Sequence, residues 1–194
     1  MTQKTDSVSS ETVAGEQALV QASQSGDADA FARLYDAYLA RVYRYVYFRV
    51  SDKQVAEDIA SDVFLRAWEN LKRYRVGSSP FIAWLYRIAH NAVIDYHRKK
   101  KPETLLQAVA VENMAAADKM EDRLELKLES EQLRRSLHHL TDEQQQVIIL
   151  KFIGGLSTQE IARQMGKRQG AVRALQMRAL QTLANVLGQM ELEV

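Results

Sequence analysis

Apolar positions along this chain recur at helical spacing, and no stretch alternates as a strand would. In FARLYDAYLARVYRYVYFRV, residues Phe31, Leu34, Tyr35, Tyr38, Leu39, Val42 and Val46 share one face of a 3.6-residue period. SDKQVAEDIASDVFLRAWENL opens with Ser51 or Asp52 as its N-cap. Its apolar stripe is Val55, Ile59, Val63, Trp68 and Leu71, supported by Ala56 and Ala67. RYRVGSSP interrupts the pattern as a loop. Ser79 then caps a further helix, Pro80 suits its first turn, and FIAWLYRIAHNAVIDYHRKK runs on until Pro102 stops it. Residues 103–117 have weak, alanine-rich patterning and read as a linker. A charged helix begins near residue 118, with Leu124, Leu128, Leu133 and Leu137 inward. Thr141, followed by Asp142 and Glu143, starts another at LTDEQQQVIILKFI. The fold class is therefore all-α.

The run GLSTQEIARQMGKRQGAVRALQ carries a more specific arrangement. Gly154 and Gly155 end one helix, and Ser157 with Glu160 forms a capping box for the next. That short helix turns Ile161, Ala162 and Met165 inward, and Gly166 breaks it where a tight turn needs positive φ. A second helix then returns Val172, Leu175, Ala179 and Leu183 to the core. Ala162 is small where the two helices cross. Together these features read as a helix-turn-helix. The outward residues of its second helix are Lys167, Arg168, Gln169, Arg173, Gln176 and Met177. Arg and Gln can read base edges in the major groove, and Lys can hold phosphate. The plain alternative is a helical hairpin with a solvated basic face. Gly170 costs helix stability, about 1 kcal/mol against Ala. A close backbone approach to DNA is a reason for a glycine there.

Composition limits what else the chain can be. At 194 residues it suits one medium domain or two small ones, and 46% hydrophobic content is enough for a core. The absence of cysteine removes disulfides, thiolate metal sites and a cysteine nucleophile. No apolar run is long enough to span a membrane, and the polar start MTQKTDSVSSETVAGEQ reads as a disordered lead-in. The net charge of +1 hides two basic patches, at 96–101 and 163–178, separated by an acidic stretch at 112–131. His90 and His97 lie too far apart on one helix to share a metal, and His138 and His139 point different ways. No nucleophile elbow or phosphate-binding glycine loop is present. Neither a metal nor a cofactor is expected, and no catalytic cluster suggests an enzyme.

Three stretches resemble parts of one protein family. AEDIASDVFLRAW is similar to the helix by which bacterial sigma factors bind core RNA polymerase. FIAWLYRIAHNAVIDYHRKK resembles the adjacent helix that engages the promoter minus-ten element. LRRSLHHLTDEQQQVIILKFIGGLSTQEIARQMGKRQGAVRALQMRALQTL resembles the C-terminal domain that reads the minus-35 element. The resemblance is to the sigma-70 family, extracytoplasmic-function subgroup, over about residues 27–100 and 131–187. It implies two small helical domains, a region 2 bundle and a region 4 helix-turn-helix, on a flexible linker. The division is then 1–26 as a disordered or partly helical lead-in, 27–101 as region 2, 102–130 as linker, 131–188 as region 4 and 189–194 as tail. So short a tail leaves no further regulatory domain expected.

The resemblance also distributes roles. Glu57, Asp58, Ser61, Asp62, Leu65 and Arg66 fall on the polymerase-binding helix. Asp58 and Asp62 share one helix face as an acidic patch, with Leu65 as an apolar anchor. For the minus-ten element the candidates are Tyr74, Arg75, Ser78, Phe81, Arg87, Asn91, Arg98, Lys99 and Lys100. The RYRVGSSP loop is the segment that captures a flipped base, with Tyr74 and Phe81 as stacking faces. Trp84 and Tyr86 read as core, and Asp95 as a partner for Arg98 or Asn91. Minus-35 candidates are Ser157, Thr158, Lys167, Arg168, Gln169, Arg173, Gln176 and Met177. The implied partners are core RNA polymerase and promoter DNA, with an anti-sigma factor as a further candidate and no membrane insertion. The implied location is the bacterial cytoplasm, with nucleoid association when bound to polymerase.

Two features depart from the family pattern. The spacer is longer and more acidic than the minimal version. Residues 103–117 alone extend about 50 Å at ~3.3–3.6 Å each, and the acidic part could mask a basic DNA-binding face. GKRQGAVRALQMR also departs from the commoner form, which has Lys or Arg and Ser after the Val and a His or Arg further on, and this bears on the minus-35 sequence it reads. A conventional helix-turn-helix regulator remains the alternative. It would bind its operator alone, usually as a dimer on a palindrome. A helical enzyme is the third reading, disfavoured by the missing catalytic cluster.

Overall fold

A computed structural model of the chain describes residues 15–100 and 133–191. The spacer with its acidic stretch, its reach and the expected stop at Pro102 all lie outside the described residues. The chain divides into two compact units, Met1–Val93 and Ile94–Val194. Among the described residues every regular element is helical.

The first unit starts with a helix at 15–24, here α1, so the last residues of the stretch expected to lack structure are ordered. The reason is burial: Val20 is 1% exposed and Ser23 4%. A turn at Ser25 and Gly26 leads to α2 (Ala28–Val50), whose N-cap Asp27 accepts a bond from the Ala30 N–H. Ser51 takes the left-handed conformation, φ 63°, and donates its N–H to the Tyr47 carbonyl, which closes α2. Asp52 is thus the N-cap of α3 (Lys53–Asn70), its carboxylate accepting from the Val55 N–H at 3.0 Å.

Helix α3 buries Ala56, Ala60, Val63, Phe64 and Ala67. Its alanines let α2 come close, so a larger residue at Ala60 would overpack the contact by ~1–3 kcal/mol. Trp68 departs from the expected inner stripe. It is 38% exposed and packs at a tilt on Phe31, with ring centroids 4.8 Å apart. A 3-10 turn (Leu71–Arg73) leads through the RYRVGSSP loop to α4 (Phe81–Lys100). The Pro80 carbonyl accepts the first helical bonds, from Ala83 and Trp84, so Ser79 is not the cap it was expected to be.

In the second unit a helical turn at 133–137, α5, precedes α6 (Asp142–Ile148). Leu137 is 1% exposed, whereas Leu133, expected inward, is 40% exposed. Thr141 and Gln144 form a reciprocal capping box on α6. The helix widens into a π turn, Ile149–Ile153, which the glycine pair closes. The Gly154 N–H reaches the Ile149 carbonyl at 2.8 Å, and Gly155 has φ 71°. Ser157 and Glu160 form the second capping box, on α7 (Thr158–Met165). Such caps contribute about 1 kcal/mol each. Gly166, φ 62°, ends α7 as its sequence position required, and α8 (Gln169–Glu191) follows. Ile161, Ala162, Val172, Ala179 and Leu183 close the core between α7 and α8.

Candidate polymerase and nucleic-acid interfaces

The outer side of α3 is acidic with an apolar knob. Glu57, Asp58 and Ser61 are exposed, and Leu65 is 58% exposed beside Trp68. Ser61 donates its hydroxyl to the Glu57 carbonyl, so it completes the helix surface and is not a free hydroxyl. Asp62 pairs with Arg66 at 2.8 Å, one turn further on. Lys53 lies 3.9 Å from Glu57. The pairs are solvent-exposed, worth ~0.3–0.5 kcal/mol each, and leave the Asp58 carboxylate and Leu65 uncovered. An exposed large aliphatic next to carboxylates suits a basic partner with an apolar contact point.

Between α3 and α4 lies a cleft of about 300 Å³ lined by Arg66, Asn70, Arg73, Trp84, Arg87, Ile88 and Asn91. Three guanidinium groups and two amides face an open space, a combination that fits phosphate and base edges. Arg66, expected on the polymerase face, therefore also borders this cleft. Asn70 and Arg73 did not stand out in the sequence. The signal was available: Arg66, Asn70 and Arg73 recur at helical spacing along α3 and the 3-10 turn that follows it. Asn70 donates its amide to the Arg66 carbonyl at 2.9 Å.

Helix α4 presents Arg87, Asn91 and Arg98 outward and buries Trp84, Leu85, Ala92 and Val93. Asp95 pairs with Arg98 at 3.1 Å, one of the two partners expected for it. Lys99 and Lys100 are exposed at the helix end, and the Lys100 ammonium donates to the Tyr96 hydroxyl at 3.2 Å.

The loop before α4 corrects two expectations. Tyr74 is 6% exposed and Phe81 is fully buried, so neither offers a stacking face to a base. Both rings pack with Trp84 in one aromatic cluster, at centroid distances of 5.1–5.5 Å. The Tyr74 hydroxyl donates to the Ser79 carbonyl at 2.5 Å, tying the two ends of the loop together. Burial, with the Glu16 charge adding, pushes the Tyr74 hydroxyl up to about 12. Trp84 and Tyr86 are core, as expected. The loop tip itself is exposed at Arg75, Gly77 and Ser78. Ser78 donates both its N–H and its hydroxyl to the Arg75 carbonyl, and Gly77 holds φ 84°, which few other residues tolerate.

In the second unit the α7–α8 pair presents Arg168, Gln169, Arg173 and Met177 outward, Met177 at 73% exposure. Gln176 is half-buried on the same helix. Lys167 differs from its neighbours. Its ammonium pairs with Glu143 of α6 at 2.7 Å, and its N–H closes α7 on the Ala162 carbonyl. Ser157 is engaged in the capping box, and Thr158 is half-buried at the first position of α7. A Cβ on Gly170 would meet nothing within 4 Å, so no packing requires the glycine.

Comparisons with known proteins place these features. The family profile for Sigma-70 region 2 matches residues 34–103, and that for Sigma-70, region 4 matches residues 130–183. The chain is 40% identical over 173 residues to the ECF RNA polymerase sigma factor BldN of Streptomyces coelicolor, covering 87% of this chain and 64% of that protein. It is 34% identical over 159 residues to the ECF RNA polymerase sigma factor SigW of Bacillus subtilis, covering 77% of this chain and 84% of that one. Among solved structures, CnrH in complex with the cytosolic domain of CnrY shares the fold, with a TM-score of 0.70 at 24% identity over 90% of this chain and 98% of that chain. RpoE in complex with the anti-sigma factor NepR from Bartonella quintana does so with a TM-score of 0.67 at 24% identity, over 81% and 96%. Region 2, region 4 and 34% identity to SigW over 84% of its length coincide in one chain, and this chain belongs to the ECF sigma factors of the sigma-70 family.

Proposed function

We propose that this chain binds core RNA polymerase and directs it to promoters with a minus-ten and a minus-35 element. One observation carries the reading: three separate surfaces have the three chemistries the task needs. The α3 face, with Asp58 and Leu65, suits a basic, partly apolar partner on polymerase. The α3–α4 cleft and the adjoining Arg75–Ser78 tip suit phosphates and an unstacked base. Helix α8, with Arg168, Gln169 and Arg173 at its start, suits the major groove.

The chain supplies no chemistry in this account. It lowers the free energy of one polymerase–promoter complex relative to others, and the polymerase makes the bonds. Phosphate contacts from Arg87, Arg98, Lys99 and Lys100 hold register, while Asn91 and the loop tip read sequence. In region 4, Arg173 and Gln169 carry base readout, and the first N–H groups of α8 lack intrahelical acceptors and face the backbone phosphates. The implied setting is the bacterial cytoplasm. A soluble partner that covers the α3 face would switch the chain off, which is the role we assign to an anti-sigma factor.

The test is a mobility shift on a promoter fragment. With core polymerase the chain yields a complex that needs both elements. Binding of the chain alone, as a dimer on a palindrome, would instead identify a conventional regulator.

A further inference from the structure

Helix α1 reaches the loop before α4 from 47 or more residues away, and it does so with two polar side chains. The Gln24 amide donates to the Leu71 carbonyl at 2.9 Å and to the Tyr74 carbonyl at 2.7 Å. Two carbonyl partners use both hydrogens of one NH₂ group and fix its orientation. On the other side of the loop, one Glu16 oxygen accepts the Phe81 N–H at 3.3 Å, while the other accepts the Tyr38 hydroxyl. Phe81 is the first residue of α4, where no intrahelical acceptor exists, so Glu16 caps that helix from a distant element.

The loop is therefore suspended between two anchors on one helix. Gln24 sets the position of Tyr74, and Glu16 sets the position of Phe81. The Tyr74 hydroxyl then crosses to Ser79 and closes the span. Between the anchors the tip is exposed at Arg75, Gly77 and Ser78, and the bonds Ser78 donates go to Arg75 within the tip. Helix α1 is in turn held by the burial of Val20 and Ser23, the Ser23 hydroxyl being satisfied within its own helix by the Leu19 carbonyl.

We propose that Gln24 and Glu16 are positioning residues for minus-ten discrimination: α1 fixes the angle at which the Arg75–Ser78 tip meets the DNA. The inference rests on the minus-ten role given to that tip above. A base pocket loses selectivity when its walls shift by a fraction of an ångström, because hydrogen bonds weaken steeply with angle and distance. Gln24 and Glu16 touch no DNA in this account and act through the loop.

Gln24→Glu keeps size and shape but replaces both donors by an acceptor against two carbonyls. Gln24→Met removes the donors without adding charge and serves as the milder variant. Each is assayed as holoenzyme on a promoter library randomised at both elements. Hydrogen exchange over Tyr74–Phe81 is followed in the free full-length chain, below the melting temperature of each variant. The tip is replaced by alanine at Arg75, Val76 and Ser78 in a parallel arm, with Gly77 kept for its φ of 84°.

The expected result is faster exchange over Tyr74–Phe81 and about a tenfold loss of minus-ten discrimination. Minus-35 preference stays unchanged. A purely structural role would instead lower yield or melting temperature and leave the minus-ten preference intact. Unaltered exchange in both Gln24 variants overturns the anchoring. Faster exchange with full minus-ten discrimination, where the tip variant has lost it, overturns the positioning role and leaves the minus-ten reading standing. Full discrimination in the tip variant as well overturns the minus-ten reading itself.

Discussion

Gly170 makes two effects of opposite sign depend on one methyl group. It is the second residue of α8, its φ is not positive, and a Cβ there meets nothing within 4 Å. Gly170→Ala is therefore free of strain and removes backbone freedom only from the unfolded chain, a gain of ~0.4–1 kcal/mol. For a unit of this size that corresponds to roughly 2–8 °C in melting temperature. The same methyl points from the start of the helix proposed to enter the groove. On that proposal the first N–H groups approach a phosphate, and loss of one charge-assisted hydrogen bond costs ~1.5–3 kcal/mol, or roughly tenfold to a hundredfold in affinity. Thermal melts of the full chain measure the first effect. Titration of holoenzyme against a promoter with and without its minus-35 element measures the second. A variant that melts higher and binds as well as wild type refutes the close approach at Gly170. A variant that melts lower refutes the open space.

Further expectations concern other surfaces. Asp62→Arg removes an exposed pair with Arg66 worth ~0.3–0.5 kcal/mol, so the unit stays folded, while core binding in a pull-down falls at least about tenfold by charge reversal. Glu143→Gln frees Lys167 from its ion pair, so the salt slope of promoter binding steepens by up to about one unit, and adding Lys167→Gln to that variant removes the gain; equal slopes in all three proteins exclude Lys167 from phosphate contact. Tyr45 and Tyr74 are both held protonated by burial, their hydroxyls pushed up to about 12 from 10.0. Their contribution to stability is thus complete below pH 10 and lost as the pH rises through 12. The Tyr45 hydroxyl is buried with no hydrogen-bond partner among the described residues, so Tyr45→Phe is neutral or stabilising at pH 7 and reduces the alkaline loss, as circular dichroism across that range would register.

Local chemistry was legible in the sequence, and distant pairing was not. Asp52, Thr141 and Ser157 cap their helices through residues three positions on, and Gly166 turns where its lack of Cβ demands. Each of these depends on a few neighbouring residues, which is what a one-dimensional pattern records. The outward face of α8 followed from the same periodicity. Tyr74 and Phe81 could not be sorted that way, because an aromatic beside a loop serves equally as core or as stacking platform. Only the packing on Trp84 decides it. Glu143 and Lys167 are unremarkable apart and paired only by the fold. Glu16 lies 65 residues from the helix it caps, in a polar stretch expected to be disordered or at most partly helical.

Run-off transcription with purified core polymerase on a promoter library tests the central claim most directly. Addition of this chain should produce defined transcripts from promoters that share two separated elements, and Asp62→Arg should abolish them without unfolding the chain. Failure of the folded chain to associate with core polymerase, or association that directs no initiation, contradicts the account.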